Sequence, residues 1–191
     1  WIERRIDPYN PFTLEPRQTL ALNLFPECSQ SATNAKLFYV PKGEKGLAAS
    51  LRVSEVSQQA ANHGVEIPVV HRDEFDEESI ALVDVPIDPR FRLTLRIYGL
   101  NRGTNFVNVS FGGRLVQLPL QFSNDIFEPS YAVFTDFTAS PTGSPLPERV
   151  NVLIDVPRGP GGVHIPGSPI WAFITVTNNE TQHITTITPQ H

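Results

Sequence analysis

The sequence contains one cysteine, no methionine and few charged side chains. Of its 191 residues 18% are charged, and Asp and Glu outnumber Lys and Arg by 20 to 15, which gives a net charge of −5. The single thiol, Cys28, cannot form an intramolecular disulfide, so cysteine usage does not indicate a redox compartment. Nucleic-acid-binding proteins usually concentrate Lys and Arg on one surface, and we therefore expect this acidic chain to bind no nucleic acid.

Long apolar runs are also lacking. No stretch approaches the roughly 18 apolar residues that a membrane-spanning helix needs, and no basic segment followed by an apolar one opens the chain. We therefore expect no membrane insertion. Because the chain begins at Trp1 and contains no methionine, we expect a processed or excised piece from which any export signal has been removed.

Motifs of catalysis are absent from the sequence. It contains no Gly-x-Ser-x-Gly, no His-Glu-x-x-His and no phosphate-binding glycine loop, and its 5 histidines are scattered without zinc-site spacing. We predict no enzyme and no cofactor. A hydrolase whose carboxylate pair comes from separate strands would leave no local motif, and it stays open as a third hypothesis.

Alternating apolar and polar residues fill most of the chain. The clearest case is residues 90–98, where Phe91, Leu93, Leu95 and Ile97 share one face. This period of two is typical of half-buried β-strands. Similar stretches recur at residues 105–111, 114–122 and 149–156, and Gly112-Gly113 is typical of a two-residue hairpin turn.

The spacing of these stretches predicts the fold class. About twelve strands with hairpin-type links and no alternating long helices exclude a parallel α/β sheet and favour an antiparallel β-sandwich of immunoglobulin-like or jelly-roll topology. One short helix is predicted at residues 55–63. We expect an extended N-terminal arm over residues 1–17 and a single sandwich domain over 18–191. The alternative is two smaller sandwiches over residues 1–87 and 88–191.

The polar face of residues 90–98 provides the first candidate site. Arg92, Arg96 and Tyr98 lie on its outward side, where they offer planar paired donors and an amphipathic ring to a partner. The alternative is an ordinary half-exposed sheet whose arginines pair with acids on neighbouring strands, such as Asp84, Asp136 or Asp155. A second candidate is the acidic loop around Asp73, Asp76 and Glu78, which carries the oxygen ligands that calcium prefers but not the EF-hand spacing.

Two phrases resemble a known group of proteins. WAFITVTNNETQH at residues 171–183, taken with PRFRLTLRIY at 89–98, resembles β-sandwich modules of uncharacterised exported bacterial proteins, mainly over residues 80–191. The resemblance implies a secreted, periplasmic or cell-surface location and carries over no functional residue.

The combined observations favour a non-catalytic binding or structural module that acts through protein–protein contact. The alternative is a carbohydrate-binding module that contacts a cell-surface glycan. That function requires exposed aromatic rings, and the available rings are Trp1, Tyr39, Tyr98 and Trp171.

Overall fold

The computed structural model describes the chain in segments. The backbone is described for Ile2–Arg5, Leu20–Asn23, Leu51–Val53 and Val65–Ile67, and backbone with side chains for residues 68–100, 106–122, 129–137, 147–157 and 169–190. The regular secondary structure of these residues is β-strand, apart from one short 3-10 helix at Arg72–Glu74. For the described residues, the expectation of an all-β fold is confirmed.

The strands follow the alternating stretches of the sequence. In chain order they are β1 Ile2–Arg5, β2 Leu20–Asn23, β3 Leu51–Val53, β4 Val65–Ile67, β5 Ser79–Pro86, β6 Phe91–Gly99, β7 Phe106–Phe111, β8 Arg114–Pro119, β9 Ser130–Phe134, β10 Arg149–Asp155, β11 Ile170–Asn178 and β12 Ile184–Ile187. β1 pairs in parallel with β2, and β3 pairs antiparallel with β4, each pair as a separate two-stranded sheet.

The other strands form two antiparallel four-stranded sheets. Sheet 1 has the order β5-β10-β7-β8 and sheet 2 the order β12-β11-β6-β9. Their inner faces share one hydrophobic core. Phe111 of sheet 1 and Phe134 of sheet 2 meet with ring centroids 5.8 Å apart, and Phe137 lies 5.0 Å from each. Aromatic pairs at these distances stabilise a core beyond their area burial.

The prediction of about twelve strands in the sandwich is wrong. The two sheets hold eight strands, and β1 to β4 pair among themselves instead of extending either sheet. An alternating pattern predicts that a segment is extended, but the pattern does not say which neighbour it pairs with.

Alternation does predict which residues face the core. In β10, Val150, Val152 and Ile154 are buried, whereas the residues between them face solvent. The predicted hairpin between β7 and β8 is confirmed, because Gly112 and Gly113 have φ of 51° and 79°. Positive φ at both central residues is the requirement of the type I′ turn, which matches the right-handed twist of the strands.

Several predictions concern the N-terminal half. Of the predicted arm over residues 1–17 only β1 is described, and the helix predicted at residues 55–63 lies outside the described residues. β5 ends before the alternative boundary between residues 87 and 88 and pairs with β10, so a division there would cut sheet 1. The extent of the single domain over residues 18–191 stays a prediction.

Candidate functional site

A row of solvent-facing, mostly apolar side chains crosses all four strands of sheet 1 on its outer face. Leu153 of β10 lies between Ala81 of β5 and Ser110 of β7, and Ser110 lies opposite Leu115 of β8. Side chains opposite each other on neighbouring strands have Cβ atoms about 4.5–5.5 Å apart, so the four form one continuous strip. We call Ala81, Leu153, Ser110 and Leu115 the apolar row.

The leucines of the apolar row are unusually accessible. Leu115 is 67% exposed and Leu153 is 39% exposed, and Val83, further along β5, is 38% exposed. A single exposed apolar side chain is common in soluble proteins and needs no explanation. Several exposed apolar side chains on one sheet face are different, because such clusters are typical of surfaces that contact another molecule.

A shallow depression lies at the hairpin end of the apolar row. Its volume is about 350 Å³, and its described lining residues are Ser110, Phe111, Gly112, Gly113, Arg114, Leu115, Asn151 and Leu153. None of these residues is a carboxylate, and the depression is wide open to solvent. A hydrolase would need two carboxylates facing each other across a cleft, and these lining residues do not provide them.

Ion pairs within the chain neutralise charges near the apolar row. Arg149 donates a short hydrogen bond to Asp84, and Arg114 donates to Asp136 at 3.1 Å. The guanidinium of Arg114 also lies 5.6 Å from the ring centroid of Phe111. A cation over an aromatic face is attracted by the ring quadrupole, which holds Arg114 against its own core. Apart from Asp155, which lies two residues after Leu153 on the same face of β10, the charged side chains described here are therefore paired within the chain.

The predicted site residues lie on the other sheet. Arg92, Arg96 and Tyr98 of β6 point to the outer face of sheet 2, opposite Thr177, Phe173 and Trp171 of β11 respectively. Arg92 is exposed and Arg96 is half-buried. The outward phase predicted for Tyr98 is correct, but the side chain is only 8% exposed, so the accessibility predicted for it is wrong.

Arg96 and Tyr98 interact directly with each other. Burial raises the pKa of the Tyr98 hydroxyl above its ordinary value, while the charge of Arg96 and a hydrogen bond from its side chain act in the opposite direction. A guanidinium has donors only, so it donates to the phenolic oxygen. Of the three predicted residues, Arg92 is the one that faces solvent, and their binding role stays a prediction.

Two of the three acids suggested as partners of these arginines pair elsewhere, and the third, Asp155, belongs to β10 of sheet 1. Asp84 binds Arg149 and Asp136 binds Arg114, while Asp88 accepts two side-chain hydrogen bonds from Arg90, at 3.0 and 2.8 Å. Asp84 belongs to sheet 1 and Asp136 follows β9, so neither lies beside Arg92 or Arg96 on their strand face. The pairing predicted for the stripe is therefore wrong for Asp84 and Asp136.

The aromatic side chains of β11 are covered. Trp171 is 4% exposed and Phe173 is 2% exposed, although both point away from the core between the sheets. Their ring centroids are 5.5 Å apart, and Phe173 stacks with Tyr98 at 6.3 Å. The sequence predicts burial on both sides of β11, and this is confirmed. A sugar-binding platform needs exposed rings, so Trp171 and Tyr98 do not provide one; Trp1 and Tyr39 lie outside the described side chains.

The acidic loop is organised by its own backbone. The Oδ1 atom of Asp76 accepts hydrogen bonds from the N–H groups of Glu78 and Ser79, at 2.7 and 3.0 Å. Asp73 lies in the 3-10 helix. Within the described segments no group of three His, Cys, Asp or Glu side chains is placed to hold a metal ion. The arrangement of Asp73, Asp76 and Glu78 thus gives the calcium hypothesis no support.

Sequence reasoning did not single out Leu115 and Leu153. The sequence does mark Leu153, because it is an apolar residue at an outward position of β10, between the inward Val152 and Ile154. An apolar residue at the outward phase of a strand indicates either a covered face or a contact surface. Leu153 and Leu115 lie in one row because of the register of three strands, β10, β7 and β8, and only the structure provides that register.

Comparisons with protein-family models, curated proteins and solved structures found no match to this chain. No helix among the described residues is long and apolar enough to cross a membrane.

Proposed function

We propose that the chain is a non-catalytic binding or structural module that acts through protein–protein contact, as part of an exported or cell-surface bacterial protein. The observation that carries this proposal is the apolar row, which exposes Leu115 and Leu153 on one continuous face. Exposed apolar strips of this kind lose unfavourable contact with water when another surface covers them.

The charges around the apolar row favour a protein as the partner. Asp84 and Asp136 are already paired with Arg149 and Arg114, so the face offers neither a cluster of free cations for polyanions nor a free carboxylate pair. The centres of protein–protein interfaces are likewise depleted in charged residues. The outer face of sheet 2 is less suited, because Tyr98 and Trp171 are already buried there.

The finer topology that we propose for the sandwich is immunoglobulin-like. In immunoglobulin domains strand B pairs with A and E in one sheet, and strand F pairs with C and G in the other. β6 and β9 pair as B and E do, and β10 and β7 pair as F and C do. β11 lies beside β6 in the place of A, and β5 lies beside β10 in the place of G. The pairing of the four central strands supports an immunoglobulin-like topology, but the two outer strands are exchanged relative to chain order, because β5 precedes β6 and β11 follows β10.

The extracytoplasmic location is proposed from the resemblance of residues 80–191 to exported modules. Binding through a preformed sheet face requires little conformational change in the module itself.

A capture experiment with matched variants tests the contact function. The immobilised chain is incubated with an extract of bacterial surface and periplasmic proteins, and the bound proteins are compared for the unmodified chain, Leu153→Lys and Val133→Lys. Val133 is 46% exposed on the outer face of sheet 2 and therefore provides the control for an added lysine. We expect Leu153→Lys to lose at least about tenfold of the captured partner, because a charge is forced into an apolar contact. Equal capture by all three chains would contradict the proposed surface.

The carbohydrate alternative has its own readout. A ligand that binds only the folded state raises the melting temperature by mass action. The chain is therefore melted with a panel of soluble oligosaccharides and polysaccharides, with and without calcium. A reproducible increase with one sugar class would replace the protein-contact function by glycan binding.

A further inference from the structure

β8 forms an edge of sheet 1. Its one strand partner among the described residues is β7, with a register that runs from Phe106 opposite Pro119 to Phe111 opposite Arg114. Edge strands present unpaired backbone N–H and C=O groups along their free side, and proteins either protect these groups or use them to bind another strand.

The hairpin turn determines which groups are free. In a two-residue hairpin the residues that flank the turn, here Phe111 and Arg114, exchange both backbone hydrogen bonds, and the hydrogen-bonded pairs then alternate along the ladder. Val116 and Leu118 therefore bond to β7 together with Arg114. The N–H and C=O groups of Leu115 and Gln117 point away from β7, and no hydrogen bond joins them to another described residue outside the strand ladder.

The side chains of the same edge leave apolar surface uncovered. Leu115 is 67% exposed, which is the largest value among the large apolar side chains that the structure describes. On the inner face Val116 and Leu118 are half-buried at the margin of the core. A further strand along this edge would cover both faces at once.

We propose that β8 pairs antiparallel with β8 of a second copy of this chain, so that two copies of sheet 1 join into one continuous sheet around a two-fold axis beside Val116. This inference rests on the proposed contact function and adds a partner at the edge next to the apolar row, a second copy of the chain. A C2 dimer of this kind presents the same surface on both subunits and closes on itself.

The available donors select one register. In this register Leu115 lies opposite the partner's Gln117, and Gln117 lies opposite the partner's Leu115. Each of the two pairs exchanges two backbone hydrogen bonds, so every free N–H and C=O group of these residues has a partner. A shift of the partner strand by two residues in one direction places Leu115 opposite the partner's Pro119, which has no N–H group to donate. A shift in the other direction places Gln117 opposite Gly113, which belongs to the turn and has φ of 79°.

The side chains agree with that register. Val116 meets the partner's Val116 on the inner face, and the two copies of Leu115 become diagonal neighbours on the outer face, within reach of each other. Arg114 lies opposite the partner's Leu118, so no two like charges face each other. Its guanidinium is already bound to Asp136. The edge is therefore complementary to itself in hydrogen bonding, shape and charge.

The test measures the mass of the chain in solution. Sedimentation and light scattering of the unmodified chain are recorded from low micromolar to near-millimolar concentration, because an interface of two short strands buries little surface and is expected to be weak. The expected result is a reversible monomer–dimer equilibrium. Gln117→Pro removes one donor per subunit without touching the bonds to β7, and it should raise the dissociation constant about tenfold or more.

Two controls separate pairing from misfolding. Val133→Lys adds a charge on the other sheet and should leave the dimer unchanged, and the melting temperature of a dilute, monomeric sample should be similar for Gln117→Pro and the unmodified chain. Amide hydrogen exchange gives an independent readout, because the amides of Leu115 and Gln117 should exchange more slowly as the concentration rises.

Several results would overturn the inference. A monomer at every concentration would do so, as would a dimer that Gln117→Pro does not weaken. Slow exchange of both amides in a monomer would show that the chain covers its own edge. A monomer whose capture of another protein is still lost in Leu153→Lys would reject pairing between copies while it retains the proposed contact function.

Discussion

Asp84 of β5 and Arg149 of β10 form an ion pair beside a β-bulge in sheet 1. Val150 lies opposite Val85 and Val152 lies opposite Leu82, so both Val83 and Asp84 face the single residue Asn151. Asp84 has φ of 61°, and its N–H donates to the Asn151 side chain at 3.2 Å. The extra residue is thus accommodated by a left-handed backbone conformation that Asp adopts more readily than most residues.

Substitutions at Asp84 should separate backbone strain from the ion pair. Asp84→Ala should destabilise the protein by about 1–2 kcal/mol, because alanine has no local hydrogen bond that offsets the left-handed conformation. Asp84→Gly should cost about 1 kcal/mol or less, since glycine adopts positive φ freely and an exposed ion pair contributes little. Urea unfolding of both variants measures the difference. A larger loss for glycine than for alanine would show that the backbone at Asp84 is not strained.

The buried hydroxyl of Tyr98 should make the protein sensitive to alkaline pH. Burial raises the pKa of this group above its ordinary value of 10.0. As the pH rises, the hydroxyl of the unfolded chain loses its proton before the hydroxyl of the folded protein does. The contribution of Tyr98 to the free energy of unfolding is therefore fully present below the ordinary pKa, and it is lost as the pH rises through the pKa of the folded state. Tyr98→Phe should remove this part of the alkaline decrease. The free energy of unfolding as a function of pH checks the slope, and ultraviolet absorbance follows the ionisation itself.

Asp155 should have an effect opposite to that of most carboxylates. Burial raises the pKa of its carboxyl above the ordinary value of 3.8. A raised pKa contributes stability below the unfolded pKa that is lost as the pH rises through the folded pKa. Asp155→Asn should therefore be more stabilising at neutral pH than at acidic pH. Urea unfolding of the variant and the unmodified chain at neutral and at acidic pH measures this difference in the free energy of unfolding.

Asp88 provides the matched control for that experiment. Hydrogen bonds from the side chain and backbone of Arg90 lower the pKa of the Asp88 carboxyl below its ordinary value of 3.8. Its contribution is present above the unfolded pKa and is lost as the pH falls through the folded pKa. Asp88→Asn should therefore act in the opposite direction to Asp155→Asn at neutral pH. The same sign for both substitutions would contradict the assignment of their environments.

The burial of Trp171 on the outer face of sheet 2 predicts a large effect of its truncation. Trp171→Ala should cost about 3–5 kcal/mol, as expected for truncation of a fully buried aromatic side chain. Leu153→Ala, on the exposed face of sheet 1, should change the stability by no more than about 0.5–1 kcal/mol. Thermal and urea unfolding compare the two.

Fluorescence gives a second measurement of the same burial. In a Trp1→Phe background Trp171 is the remaining tryptophan, and its emission should be blue-shifted and resistant to soluble quenchers. Emission at the wavelength of hydrated tryptophan would show that the face is open in solution.

The sequence predicted local structure better than arrangement. The alternation of residues 90–98 and the Gly112-Gly113 pair predicted β6 and the hairpin correctly, because strand phase and turn type depend on neighbouring residues. The same alternation placed Tyr98 on the outside but could not show that the outside is covered. The nearby Trp171 and Phe173 did carry that information, since both phases of β11 are apolar.

The candidate site was harder to predict because it combines four strands. Leu115 and Leu153 are separated by more than thirty residues of sequence, and they lie in one row because Ser110 is opposite both of them. A shift of one residue in either pairing would move one leucine to the core face. Arg92 and Arg96, by contrast, were selected because they are close together in the sequence. Proximity in the sequence says little about whether residues form a binding surface.

The bulge at Asp84 makes the two edges of sheet 1 unequal. β8 is regular along its free side, whereas β5, at the opposite edge, is bent by its extra residue and ends in Pro86. A bulged strand with a proline is a poor template for a further strand. If β8 joins two copies, each outer edge of the combined sheet is a β5, so assembly ends at the pair and does not continue into a fibril.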